Sequence, residues 1–201
     1  MGGFIMERSK SHIKIWECAL LCALCVTLLA SLWAQGRAER ICGGLIRLHV
    51  LAASDAEEEQ AIKLRVRDAV LCLLDEKLDG ETDKAAAAEI LRNSLDEIQS
   101  AAASAAEGRP VSVTLTRERY PTRSYGALAL PAGRYDSLRV ILGEGEGHNW
   151  WCVVFPPLCL EAGSCELLQE TVGEECYQIL TPDGHTALRF KLLELWGRLA
   201  E

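Results

Sequence analysis

The run from Cys18 to Ala34 holds no charged residue and follows a leader that carries Arg8, Lys10 and Lys14. A helix of a soluble domain is seldom apolar on all faces behind a basic leader, so residues 1–36 are set apart as an export signal or membrane anchor. The run is as long as the apolar region of a signal peptide gets, and falls slightly short of the roughly 20 residues of a comfortable span. Small residues at Ala34 and Gly36 suit cleavage after Gly36, with Gly36 and Ala38 as a second register. If nothing cuts there, the segment stays as an anchor. In either case the basic leader keeps the N-terminal end on the cytoplasmic side.

The remainder, residues 37–201, is long enough for one well-buried domain, with 49% of the whole chain apolar and 25% charged. A net charge of −8 argues against nucleic acid as a partner, which calls for a basic face that neutralises phosphates. Solubility accounts for the acidity. Of the nine cysteines, Cys18, Cys22 and Cys25 lie in the export segment. The other six, Cys42, Cys72, Cys152, Cys159, Cys165 and Cys176, permit up to three disulfides in an exported domain. Cys72 sits within a helical pattern, where a small buried thiol is expected instead.

After a short linker, Arg37 to Gly44, the segment Leu45–Leu51 alternates as a strand. Ile46, Leu48 and Val50 form an apolar face, and Leu45, Arg47, His49 and Leu51 a mixed one. His49 is expected to be a hydrogen-bonded strand histidine rather than a ligand. Ser54 or Asp55, with Glu57 or Glu58 three residues on, predicts a capping box, and the acids there favour the positive end of a helix dipole. A long amphipathic helix follows through Ile62, Val66, Val70, Leu74 and Leu78, and Gly80 ends it. Thr82 or Asp83 opens a second helix, alanine-rich, to about Ala106.

From Val111 to Thr116 the period changes to two, which predicts a strand with one wet face. Pro121 marks a turn region, Tyr125–Leu130 leads to the turn at Pro131, Ala132 and Gly133, and Tyr135–Leu142 forms a further strand. Beyond Cys159 and Cys165 the chain reads as weakly structured to Glu174, with an edge strand at Tyr177–Leu180 and a closing amphipathic helix at Ala187–Leu199. The order strand, helix, helix, strands predicts an α+β or mixed α/β single domain: a sheet packed by two long N-terminal helices and a C-terminal helix.

The segment Gly143–Cys159, GEGEGHNWWCVVFPPLC, concentrates glycines, a histidine, two tryptophans, two cysteines and a diproline. Its glycine-rich loop lacks a following Lys-Ser/Thr, and its glutamates would repel a phosphate, so a phosphate cradle is set aside. Asn149–Phe155 reads as a central strand, ended by Pro156 and Pro157. Adjacent strand residues face opposite ways, so of Trp150 and Trp151 one can be core while the other faces out. Cys152 can pair with Cys159 across the Pro-Pro turn.

Three stretches, IRLHVLAASDAEEEQAIKLRVRDAVL from Ile46, YGALALPAGRYDSLRVILGEGEGHNWWCVVFPPLCL from Tyr125 and FKLLELWGRL from Phe190, closely resemble the stage II sporulation protein R family of endospore-forming bacteria. One departure is Ala53, where the family pattern has an asparagine; it touches the geometry of that turn. The resemblance implies a protein made in the forespore and exported into the space facing the mother cell. There it activates a membrane-embedded aspartic protease, which cleaves the precursor of an early mother-cell sigma factor. On this reading the chain is a signal without catalysis, cofactor or metal of its own. The loop and strand that contain Gly145, Gly147, His148, Asn149, Trp150 and Trp151 are then the expected contact with the protease.

Two other classes compete. A thiol-dependent wall hydrolase or peptidase would use Cys152 as nucleophile and His148 or His49 as base. On an extended strand, however, residues four apart such as His148 and Cys152 lie about 13 Å from each other, too far for proton transfer. A wall-binding module that only localises would show itself by retention on purified peptidoglycan.

Overall fold

A computed structural model describes residues 15–125, 128–157 and 164–180 of the chain. It divides into two compact units, Met1–Gly36 and Arg37–Glu201. The first contains most of α1 (Ile15–Gly44), a helix long and apolar enough to cross a membrane, with its large apolar side chains exposed. α1 runs on through the residues expected to form a linker. Ile41 and Cys42 bury their side chains in a core of the second unit, and that burial stabilises the last turns as helix.

The second unit is α+β. Its sheet is formed by β1 (Ile46–Leu51), β2 (Val111–Tyr120), β5 (Gly133–Leu142) and β6 (Asn149–Phe155) in the order β2-β5-β1-β6. β1 runs parallel to β5, and the other pairings are antiparallel. A separate hairpin joins β3 (Arg123–Tyr125) and β4 (Leu128–Leu130). Arg117, Glu118, Arg119 and Tyr120, expected in a turn region, continue β2, because β5 supplies a pairing partner for every residue as far as Gly133. The expected stretch Tyr125–Leu130 is divided between the two hairpin arms.

One sheet face carries α2 (Glu57–Leu78), α3 (Lys84–Asn93) and α4 (Leu95–Ala105). Ile46, Leu48, Val50, Leu138 and Val140 meet Ile62, Val66, Val70, Leu91 and Ile98, all fully buried. Each such aliphatic side chain contributes about 1.5–3 kcal/mol on leaving water. The N-cap of α2 is Ala56, with no side-chain cap, rather than Ser54 or Asp55. Ser54 Oγ accepts from Ala56 N at 3.3 Å, and the Asp55 carboxylate is drawn away to His148. The predicted second helix breaks at Ser94, whose N–H is shared between the carbonyls of Ile90 and Leu91. The break allows α3 to pack on α2 while α4 reaches β2. Of the two caps anticipated for α3, the structure uses Asp83, whose carboxylate accepts from Ala85 N at 2.7 Å. Asp83→Ala is expected to lower the unfolding free energy by about 1 kcal/mol, measurable by urea denaturation.

The second face is covered in part by the β3-β4 hairpin, α5 (Ser164–Val172) and α6 (Glu174–Leu180), which replace the expected irregular stretch and edge strand. Leu168, Val172, Cys176 and Leu180 recur every four residues and are all buried with Leu45, Tyr135 and Val153, which is a helical stripe. Cys72 is free, but exposed rather than buried, and Cys42 and Cys176 are free and buried. Burial pushes the Cys42 thiol up to about 11, which keeps it protonated and unreactive at neutral pH. The expected helix Ala187–Leu199 lies outside the described residues.

Candidate functional site

The site grows from the mixed face of β1. Strand alternation puts Arg47 and His49 on the side away from α2, and the register sets Ser137 and Arg139 of β5 and Val153 and Trp151 of β6 beside them. Glu118 and Tyr120 reach the same face from β2. His49 bridges across it, with Nδ1 3.1 Å from Glu118 Oε2 and Nε2 2.8 Å from Asn149 Oδ1. Ser137 donates to Glu118 Oε2 at 2.8 Å, and Tyr120 OH lies 2.6 Å from Ser137 Oγ. Arg139 Nε stands 3.4 Å from Glu118 Oε1. Deeper in, the Arg47 guanidinium lies 3.9 Å from the centroid of the Tyr120 ring and is wholly buried.

Burial alone would raise the Glu118 carboxyl. Hydrogen bonds from His49 and Ser137, with the charges of His49 and Arg139, outweigh it and hold the group below the ordinary carboxylate range. Tyr120 shifts the other way, because burial and the neighbouring Glu118 charge both oppose a phenolate. The network therefore keeps one ionised carboxylate and one protonated phenol side by side, which fixes the orientation of His49 and through it of Asn149.

The loop before β6 is pinned against the β1-α2 connection. Gly145 has φ +69°, and a Cβ there would come within 2.7 Å of Ile141 Cγ2. At Gly147 a Cβ would meet the Ser54 carbonyl oxygen at 2.2 Å, and its N–H donates to Ala52 O at 2.9 Å. Ala53 takes part in the same packing, its Cβ 3.0 Å from where a Cβ on Gly143 would lie. The His148 N–H donates to Asp55 Oδ1 at 2.7 Å, the His148 ring also engages Asp55, and Lys63 Nζ donates to His148 O at 3.0 Å. The acidic stretch at the start of α2 is thus engaged by the protein itself: Asp55 holds His148, while Glu58 and Glu59 bind Arg109.

The six residues anticipated for recognition lie within one short stretch, 145–151, but they face different ways. His148 and Asn149 are exposed at the start of β6. Trp150 and Trp151 are both half-buried, one on each side of the sheet. Trp150 packs on the helix-side core, with Arg67 Cζ 5.0 Å from its ring centroid. Trp151 lies against His49 at a ring separation of 5.6 Å, and Arg123 stacks over it at 4.2 Å. His49 is indeed a hydrogen-bonded strand histidine. Sequence reasoning did not bring Glu118, Tyr120, Ser137, Arg139 and Arg123 to this face. The available signal was the alternation of β2, which continues past Thr116 through Glu118 to the buried Tyr120.

Cys152 is disulfide-bonded, and its expected partner Cys159 lies outside the described residues. Its register partner is Leu48, whereas that of His49 is Trp151, so the cysteine and that histidine belong to opposite sides of the sheet. His148 is turned to Asp55. In the oxidised chain no thiolate meets a base at this strand.

The second unit is thus an α+β domain that follows a helix fit to be a signal or an anchor, and one of its sheet faces carries a fixed polar and aromatic cluster around His49. The family model for stage II sporulation protein R matches residues 43–164, more than half of the chain, and the chain belongs to that family, with a role in sporulation. Stage II sporulation protein R of Bacillus subtilis (strain 168) is 36% identical over 135 residues, covering 65% of this chain and 60% of that protein. The match thus spans less than two thirds of the relative's length. No solved structure matches.

Proposed function

We propose that the protein is an exported sporulation signal that activates a membrane-embedded aspartic protease, which then processes the precursor of an early mother-cell sigma factor. It acts from the space between forespore and mother cell as a ligand, without chemistry of its own. Membership of the sporulation family and the apolar N-terminal helix support this reading. The observation that carries the site is the presentation of His148 and Asn149. Both are exposed, yet their backbone and side chains are fixed by Asp55, Lys63 and His49. Such preorganised polar groups lose little entropy when a partner binds.

The test is reconstitution in a non-sporulating host that expresses the protease and the sigma-factor precursor, with precursor cleavage followed after addition of the exported protein. A folded His148→Ala, Asn149→Ala double variant is expected to need at least about thirtyfold more protein for the same cleavage, the equivalent of about 2 kcal/mol for a binding hot spot. Unaltered signalling by that variant, together with loss of signalling in an equally folded Cys152→Ser variant, would overturn the ligand reading in favour of thiol chemistry.

A further inference from the structure

β2 is an edge strand of the sheet, and one side chain shows which of its main-chain groups face outward. From α4, the Gln99 amide donates through Nε2 to Val111 O and accepts from Val113 N–H at 2.9 Å, as a neighbouring peptide group would. Pro110, one position before β2, instead accepts from the N–H of Gly143, which follows β5. The pairing of β2 with β5 runs without a shift from Val111 to Tyr120, so the odd-numbered residues turn their main-chain groups away from β5 along the whole strand.

Gln99 thus occupies the first peptide-sized step of this edge. At the next steps, Leu115 and Arg117 present their N–H and C=O groups with no strand set against them among the described residues. Leu115 is half-buried, and Thr116 and Arg117 are exposed, whereas Cys152 to Phe155 on the opposite edge strand, β6, are buried. A row of outward main-chain groups is a template for another strand. Leu115 and Arg117 share the helix side of the sheet, so residues two apart on an added strand would meet them. Asp136, the cross-strand partner of Arg117, is bound by Lys84, and an acid on the added strand would form a favourable pair with the exposed guanidinium. A second copy of β2 fits poorly. A two-fold centred on Arg117 sets the two Arg117 side chains opposite each other, and one centred on Leu115 or Thr116 drives each strand against the other copy's Gln99.

We propose that the edge of β2 at Leu115 and Arg117 takes up an extended segment of a partner protein as an added strand, with an apolar residue opposite Leu115 and an acidic one opposite Arg117. Main-chain hydrogen bonds supply the hold, and the alternate side chains supply the choice of sequence. Gln99 limits the register by closing the edge at Val113. In the order β2-β5-β1-β6 this edge lies about 14 Å across the sheet from β6, so the contact is separate from the one assigned to His148 and Asn149.

Amide hydrogen exchange of the full chain in mild detergent tests this, with the end-blocked peptide GTVTDTVTG and its lysine counterpart GTVTKTVTG as probes. The aspartate peptide is expected to slow the Leu115 and Arg117 amides severalfold and to leave those of Thr114 and Thr116, which face β5, unchanged. The lysine peptide should have little effect, and Arg117→Glu should reverse the preference. Arg117→Pro removes an outward N–H, which an edge strand tolerates, and should abolish the protection at Leu115. No slowing at Leu115 and Arg117 by the aspartate peptide would overturn the proposal, as would equal slowing by both peptides. Two further outcomes overturn it by naming another occupant. Leu115 and Arg117 amides as protected as that of Thr116 before any peptide is added would assign the edge to residues 181–201 of the chain itself, and protection that rises with protein concentration would assign it to a second copy.

Discussion

Glu118→Gln is expected to remove about 2–3 kcal/mol of stability at neutral pH, in the range of hydrogen bonds to a charged group. The carboxylate holds His49 and Ser137 by hydrogen bonds and faces Arg139, with its side chain only 18% exposed. Glutamine preserves the volume but removes the charge, so the loss falls on the network rather than on packing. The sign with pH follows from the depressed carboxyl. Its contribution is fully present above the unfolded value, about 4.3, and is lost as pH falls through the lower folded value. Urea unfolding of the full chain in mild detergent should therefore show a gap between wild type and variant at neutral pH that narrows in acid below about pH 4. A gap independent of pH would mean that the carboxylate does not act through its charge. Signalling should weaken as well, because Asn149 is oriented through His49.

Gly147→Ala is expected to cost about 2–3 kcal/mol, at the upper end of overpacking effects, and to abolish precursor cleavage in the reconstituted system. A methyl group at this position meets the backbone of Ser54, with its carbonyl carbon at 2.5 Å as well as its oxygen, and Ala52 Cβ at 2.9 Å. None of these is the far end of a flexible side chain, so the loop itself must withdraw. Withdrawal breaks the Gly147 N–H bond to Ala52 and pulls His148 away from Asp55 and Lys63. The reading is specific, because the same substitution at Gly80, where no atom lies within 4 Å, strains only the backbone and should leave signalling intact. Hydrogen exchange at residues 143–149 would report the release of the loop directly. A Gly147→Ala protein that signals normally would show that the pinned loop is not the recognition surface.

Much of the frame was readable from period alone. The apolar face of β1, the stripe of α2 and the β6 run bounded by two prolines are each dictated by local pattern and burial, and the structure forms them where the residues predict. The turns of α1 after Arg37 were not readable, since a short polar stretch with two glycines becomes helical only because a second core receives Ile41 and Cys42. The four-residue recurrence of Leu168, Val172, Cys176 and Leu180 was present in the sequence, but Gly173 between them disguised it.

The site divides in the same way. The wording of residues 143–159 marked the glycine loop, His148, Asn149 and the tryptophan pair, because loop glycines, exposed polar groups and aromatic residues are informative one by one. Which of them meet was decided by the register of β1 against β5 and β6 and by the reach of β2 beyond Thr116. Long-range pairing is invisible to local pattern: a one-residue slip would send Glu118 and His49 to opposite faces of the sheet. The sequence by itself therefore determined the apolar N-terminal segment, the family, and β1, α2 and β6, since each rests on local composition and order. Only the tertiary structure placed Glu118, Ser137 and Tyr120 around His49, because those neighbours are distant in the chain and are brought together by sheet pairing.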